Sequence, residues 1–145
     1  VIESLCLELC QPGVTEIDMS GCPDLAAPVA GAAAVRQGTA RLVNAGRLRI
    51  KESDRLAAIT AALNALGARV TEHPDSLTIY GQDSLTGGTV DCCNDHRIAM
   101  MAAIAATRCR EPVTLLGAEC VAKSYPDFWE HYRLLGGIFH EHTGE

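Results

Sequence analysis

Three short polar stretches carry the side chains from which this chain could build a site for an anionic substrate. They read Lys51-Glu52-Ser53-Asp54-Arg55, Asn94-Asp95-His96-Arg97 and Lys123-Ser124-Tyr125-Pro126-Asp127. Each stands where a strand or loop runs into the start of a helical pattern. Free backbone N–H groups and the helix dipole favour an anion at such a place. Lys51, Arg55, Arg97 and Lys123 add formal positive charge, and arginine's planar fork can grip a phosphate or a carboxylate through two parallel hydrogen bonds. Phosphate plus carboxylate is therefore the ligand chemistry these stretches suit. Glu52 lies between Lys51 and Arg55, an environment that favours its ionised form unless a closed site desolvates it.

The same residue types also serve plain structural ends. Ser53, Asp54 and Asp95 are good helix caps, Asp24 stands in cap position before an alanine-rich run, and basic residues near turns are usually solvated. Three such stretches in 145 residues, two of them at corresponding places of an internal repeat, favour a shared site. Helix starts that recur along a repeat tend to lie on one edge of the architecture.

The elements that must position them follow from periodicity and turn chemistry. Residues 15–20 (TEIDMS) alternate as a strand, residues 25–35 (LAAPVAGAAAV) read as a helix closed by Gly38, and Thr39–Val43 is a second strand. A loop over 44–49 leads to a helix from Ser53, with Leu56, Ile59, Leu63 and Leu66 at intervals of three and four and Gly67 as its stop. Residues 68–72 and 77–80 flank a His-Pro-Asp-Ser turn and make a hairpin. The order then begins again: a strand over 88–91, a helix over 95–107, a strand over 112–116 and a helix over 126–135. The fold class expected is α/β, built on a repeated β-α-β-α-β-β unit, with a first copy at about 15–81 and an incomplete second at about 87–137. Ile138 and Phe139 could supply one of the absent strands but not two.

Composition narrows the function classes. Aromatic residues make up only 4%, so the core must come from Ala, Leu, Val and Ile. A net charge of −6 argues against nucleic-acid or anionic-membrane partners, and no apolar run reaches the length of a membrane span. Seven cysteines, an odd number without a C-x-x-C pair, read as reduced thiols in a cytoplasmic protein. Cys92, Cys93 and His96 match no standard zinc spacing, and His140-Glu141-His142 reads as a polar tail, so no metal site and no cofactor are expected. Phe128, Trp129, Ile98, Met100, Met101 and Ile104 read as packing residues. The chain opens at Val1, without methionine and in mid-pattern, which leads to the expectation of an excised piece; residues 1–13 match no recognisable pattern.

The strings RLRIKESDRLAAI, NDHRIAM and CVAKSYPDFWE, with CPDLAAPVAGAAAVRQGTARL upstream, resemble the signature stretches of the 5-enolpyruvylshikimate-3-phosphate (EPSP) synthase family. They occur in the family's order and approximate spacing. The resemblance implies the enolpyruvyl transferase fold, with this chain as the C-terminal part of one domain completed by the family's N-terminal portion. It implies transfer of the enolpyruvyl group of phosphoenolpyruvate to the 5-hydroxyl of shikimate 3-phosphate, a reaction needing a base, an acid and cations. By match to the motifs, Asp24 is the candidate base and Glu52 the candidate for proton exchange at the methylene carbon. Lys51 would touch shikimate 3-phosphate, while Arg55, Arg97 and Lys123 would hold phosphoenolpyruvate. Asp95 and His96 are supporting candidates, His96 as an orienting hydrogen-bonding group. Arg47 takes a loop position where some members carry a substrate-binding asparagine. The isolated chain is expected to be inactive. Alternatives are a UDP-N-acetylglucosamine enolpyruvyl transferase, a non-catalytic anion-binding domain of the same fold, and an RNA-end-processing enzyme of related architecture, which the acidic charge disfavours.

Overall fold

In the computed structural model, which describes residues 1–143, the helices are α1 (Ile2–Leu9), α2 (Ala26–Ala34), α3 (Arg55–Ala65), α4 (His96–Ala106) and α5 (Phe128–Leu134). The strands are β1 (Val14–Asp18), β2 (Thr39–Val43), β3 (Arg69–Glu72), β4 (Leu77–Tyr80), β5 (Gly88–Asp91) and β6 (Val113–Leu116). Tight 3-10 turns over Pro23–Leu25, Gly46–Ile50 and Ala118–Lys123 precede α2, α3 and α5. From β1 to β4 the order is strand, helix, strand, helix, strand, strand; from β5 to α5 its first four members recur.

The first four strands form one sheet in the order β1-β2-β4-β3, with β1 parallel to β2 and β4 antiparallel to both neighbours. Register is decided by which side chains reach the core. Ile17, Ala40, Leu42, Val70, Leu77 and Ile79 share the buried face, and a shift of one residue would turn them to water. Outward-facing Arg41 and Glu16 pair at 3.0 Å on the solvent side. Helices α2 and α3 cover the inner face and α4 packs beside them in the same core. Small residues allow the close approach: a Cβ added at Gly31 of α2 would stand 3.3 Å from Met101 Cγ of α4. Gly67 ends α3 at φ +92, a left-handed conformation that glycine adopts without strain.

The second sheet has two parallel strands, β5 and β6, extended by one bridge between Leu85 and Cys109. Beyond α4 a smaller cluster gathers Cys92, Ala99, Ala103, Cys120, Val121 and Phe128, with Trp129 and Tyr132 against it. Among the described residues no helix is long and apolar enough to cross a membrane.

Several expectations change. Residues 138–139 form no strand; Phe139 instead lies against Trp129, ring centroids 5.0 Å apart, because aromatic contact outweighs an edge with no partner strand. The patternless N-terminal stretch contains α1, whose end is held by Arg36 donating to the carbonyls of Leu9 at 2.9 Å and Gln11 at 2.7 Å. Ile104 is 58% exposed although it shares α4 with buried Ile98 and Met101, because it lines an open apolar groove shared with Ala32 of α2. Asp24 does not cap α2: it sits inside a 3-10 turn with its carboxylate drawn toward three basic side chains.

Candidate active site

The polar cluster forms where α2, α3 and α4 begin. Arg55, the first residue of α3, is only 2% exposed and stands at its centre. Its Nε donates to Asp95 Oδ2 at 2.8 Å, Nη1 to Asp24 Oδ1 at 3.1 Å and Nη2 to Glu52 Oε2. Asp95 has no exposed surface, and its other oxygen caps α4 by accepting from the Arg97 N–H at 3.0 Å. Thus one buried carboxylate joins the starts of α3 and α4. Ser53 donates to the same carboxylate at 2.8 Å, leaving Asp54 to cap α3 through the Ala57 N–H.

Asp24 faces all three cations of this region. Lys51 Nζ and Arg97 Nη2 each lie 3.7 Å from it, too far for a hydrogen bond but close enough for strong attraction. Arg97 also donates from Nη1 to the Asp24 carbonyl at 3.1 Å. Partial burial works against the charge on Asp24, but Arg97, Lys51 and Arg55 outweigh it and hold the carboxyl below the usual range. Asp95 behaves alike: burial opposes its ionisation, and the hydrogen bonds from Arg55, Ser53 and the Arg97 N–H prevail. Desolvation would weaken the charge on Arg55, yet Asp95, Glu52 and Asp24 hold its pKa above the ordinary value.

The remaining predicted residues are placed less centrally. Lys123 ends the turn before α5 and donates to the Asn94 carbonyl at 2.5 Å, so it reaches the loop entering α4 rather than the carboxylates. Arg47 is exposed on the Gly46–Ile50 turn and makes no ion pair among the described residues. His96 is buried, and its Nδ1 has no hydrogen-bond partner among the described residues. No group of three or more potential metal ligands occurs among the described residues. Sequence reasoning missed Ser53 as a partner of Asp95, having read it as a cap. No periodicity marks a hydrogen bond between residues 42 positions apart.

Three basic and three acidic side chains therefore meet at one place, with Lys51 and Arg97 uncommitted enough to accept an anion. A family model for EPSP synthase (3-phosphoshikimate 1-carboxyvinyltransferase) matches residues 8–132, most of the chain. The chain belongs to the EPSP synthase family. Among curated members, 3-phosphoshikimate 1-carboxyvinyltransferase of Clostridium kluyveri is 55% identical over 125 residues, covering 86% of this chain and 29% of that protein. The Clostridium acetobutylicum enzyme of the same name is 56% identical with the same coverage. The chain thus spans about 29% of the length of these EPSP synthase relatives. The solved EPSP synthase of Acinetobacter baumannii superposes with a TM-score of 0.72 at 35% identity, over 80% of this chain and 27% of that one. The enolpyruvyl transferase NikO from Streptomyces tendae gives a TM-score of 0.67 at 23% identity, over 88% and 28%, a likeness of fold alone. The α/β repeat is that of the enolpyruvyl transferase fold.

Proposed function

We propose that this chain supplies one wall of an active site that transfers the enolpyruvyl group of phosphoenolpyruvate to the 5-hydroxyl of shikimate 3-phosphate, releasing phosphate. The convergence of Lys51, Arg55 and Arg97 on Asp24, with Glu52 on the same arginine, carries this reading. The name of the relatives supplies the 3-phosphoshikimate acceptor and the carboxyvinyl group, and the family resemblance supplies phosphoenolpyruvate as the donor. The chain then acts as the C-terminal portion of one enolpyruvyl transferase domain, with repeats at about 15–81 and 87–137, and works with the rest of the family's polypeptide. A cytoplasmic setting fits its seven free thiols.

The geometry suggests how charge is redistributed. Arg55 spends its donors on three carboxylates. Asp95 is sealed in, whereas Asp24 and Glu52 remain 52% and 43% exposed and can turn away. An incoming carboxylate or phosphate would replace them on Arg55 and recruit Arg97 and Lys123. Lys51 would bind the acceptor's phosphate. Substrate anions would then neutralise the cations that hold the Asp24 pKa down, making Asp24 a stronger base for the acceptor hydroxyl. Glu52, protonated once it is released from Arg55 in the closed site, would give its proton to the methylene carbon as the acceptor oxygen bonds to the adjacent carbon, and would take one back as the carbon–phosphate oxygen bond breaks; Asp24 would pass the hydroxyl proton to the departing phosphate. Arg47 and His96 lie close in sequence to these groups and are assigned supporting roles only.

Phosphate release from phosphoenolpyruvate plus shikimate 3-phosphate, with the chain alone and with the family's remaining polypeptide added, tests the reading. Activity only on complementation is expected; silence in both, with folded protein, would leave an anion-binding domain of this fold. Arg97→Ala or Lys123→Ala should weaken phosphoenolpyruvate binding by about tenfold or more, while stability changes by less than about 0.5 kcal/mol. A large loss of Tm with unchanged binding would overturn the assignment.

A further inference from the structure

We propose that Arg49, which touches none of the clustered site residues, is a positioning residue that aims Lys51 and Glu52 by pinning the strap between the Gly46–Ile50 turn and α3. The inference rests on the reading of Lys51 and Glu52 as site residues. Residues 51–53 take part in no backbone–backbone hydrogen bond among the described residues, and Ile50 beside them is exposed. Helix or sheet geometry therefore does not determine where Lys51 and Glu52 point. Their position depends on the anchors at either end of the strap.

Downstream the anchors are Ser53, donating to Asp95, and Asp54, capping α3. Upstream they are buried Leu48 and Arg49. The Arg49 side chain reaches three separate elements. Nε donates to the Pro74 carbonyl at 2.9 Å and Nη2 to the His73 carbonyl at 2.8 Å, both in the turn between β3 and β4. Nη1 lies 2.8 Å from Glu72 Oε2 at the end of β3 and 2.9 Å from Asp54 Oδ2 at the α3 cap. One guanidinium thus fixes the strap to the hairpin and to the start of the helix it leads into. Lysine's single ammonium can keep part of this pattern but not the fork.

Kinetics of the complete enzyme carrying R49A, R49K, K51A and the R49A/K51A pair test the proposal at a temperature well below melting. R49A should lower kcat/KM for the acceptor about 10- to 100-fold, the scale of a small misplacement of a site group, and R49K should recover part of it. If Arg49 acts through Lys51, R49A should cost far less in the K51A background. If R49A does not fold, R49K and R49K/K51A complete the cycle. Additive losses, or kcat/KM within about twofold of the parent, would overturn it. Backbone order parameters in the chain itself separate this outcome from failure of the functional reading. In R49K, residues 50–53 should fall from rigid values near about 0.85 toward about 0.6 while α3 stays unchanged. An unaltered strap would refute the inference even if the enzyme's substrates were different.

Discussion

The stretch from β1 to β4 forms a four-stranded sheet and buries most of one face, whereas the stretch from β5 to α5 repeats the same opening with only two strands. Local devices recur in both. Asp18 ends β1 and accepts from the Ser20 N–H at 2.8 Å; Asp91 ends β5 and accepts from the Cys93 N–H at 2.8 Å. A 3-10 turn follows β2 and another follows β6, the first leading into Lys51 and the second ending at Lys123. Burial differs. Leu42 is sealed in β2, while Leu115 of β6 is only half-buried and Leu134, at the end of α5, and the following Leu135 are exposed. The same local sequence logic is therefore accompanied by deeper burial where the hairpin strands are present to extend the sheet. The second copy relies on α4, whose inner face joins the main core and whose outer face supports the smaller cluster.

The largest effect should come from the fully buried side chain that joins the two copies. Asp95→Ala would leave buried Arg55 without its sealed partner and uncap α4, costing about 3–5 kcal/mol in urea unfolding. A loss below about 1 kcal/mol would mean that the copies are not coupled through Asp95. The pH dependence follows the same contact. The Asp95 pKa is lower in the folded protein than in the unfolded chain, so its contribution is complete above roughly pH 5 and is lost as pH falls through the folded pKa. Asp95→Asn should flatten that acid limb.

Core truncation comes next. Leu42→Ala should cost about 2–5 kcal/mol, and Leu115→Ala about 1 kcal/mol, because less of Leu115 is removed from water. Equal costs would show that the second copy is packed as tightly as the first.

The smallest signal is the most local. Burial, with help from the nearby Cys120, pushes the Cys92 thiol up to about 12, so it should stay unreactive at pH 8 while exposed Cys6 and Cys10 are alkylated. With rising urea, Cys92 and Cys120 should label before a cysteine placed at Ala62 in α3. Simultaneous labelling would make the chain one cooperative unit.

Much of this was legible from residue order. Strand β2, the β3–β4 hairpin and the heptad-like spacing of α3 follow from alternation, turn residues and a terminal glycine, all of which act over a few residues. The polar stretches at helix starts likewise drew attention to Lys51, Arg55, Asp95 and Arg97, which the fold gathers into one polar cluster. Local reasoning failed where a side chain had two uses. Asp24 and Ser53 are both good caps by type, yet Asp24 faces cations from α3 and α4 and Ser53 bonds to Asp95.

What the sequence by itself determined is the set of elements, their order as a repeat, and the kind of chemistry their ends can perform. Tertiary structure alone decided that Arg55 would be buried among three carboxylates, that Lys123 would turn to a backbone carbonyl, and that Arg49 would bond to the β3–β4 turn and to Asp54. The physical reason is range. Propensity and hydrophobic period act between residues a few positions apart, whereas desolvation and ion pairing depend on which distant charges the packed core brings together.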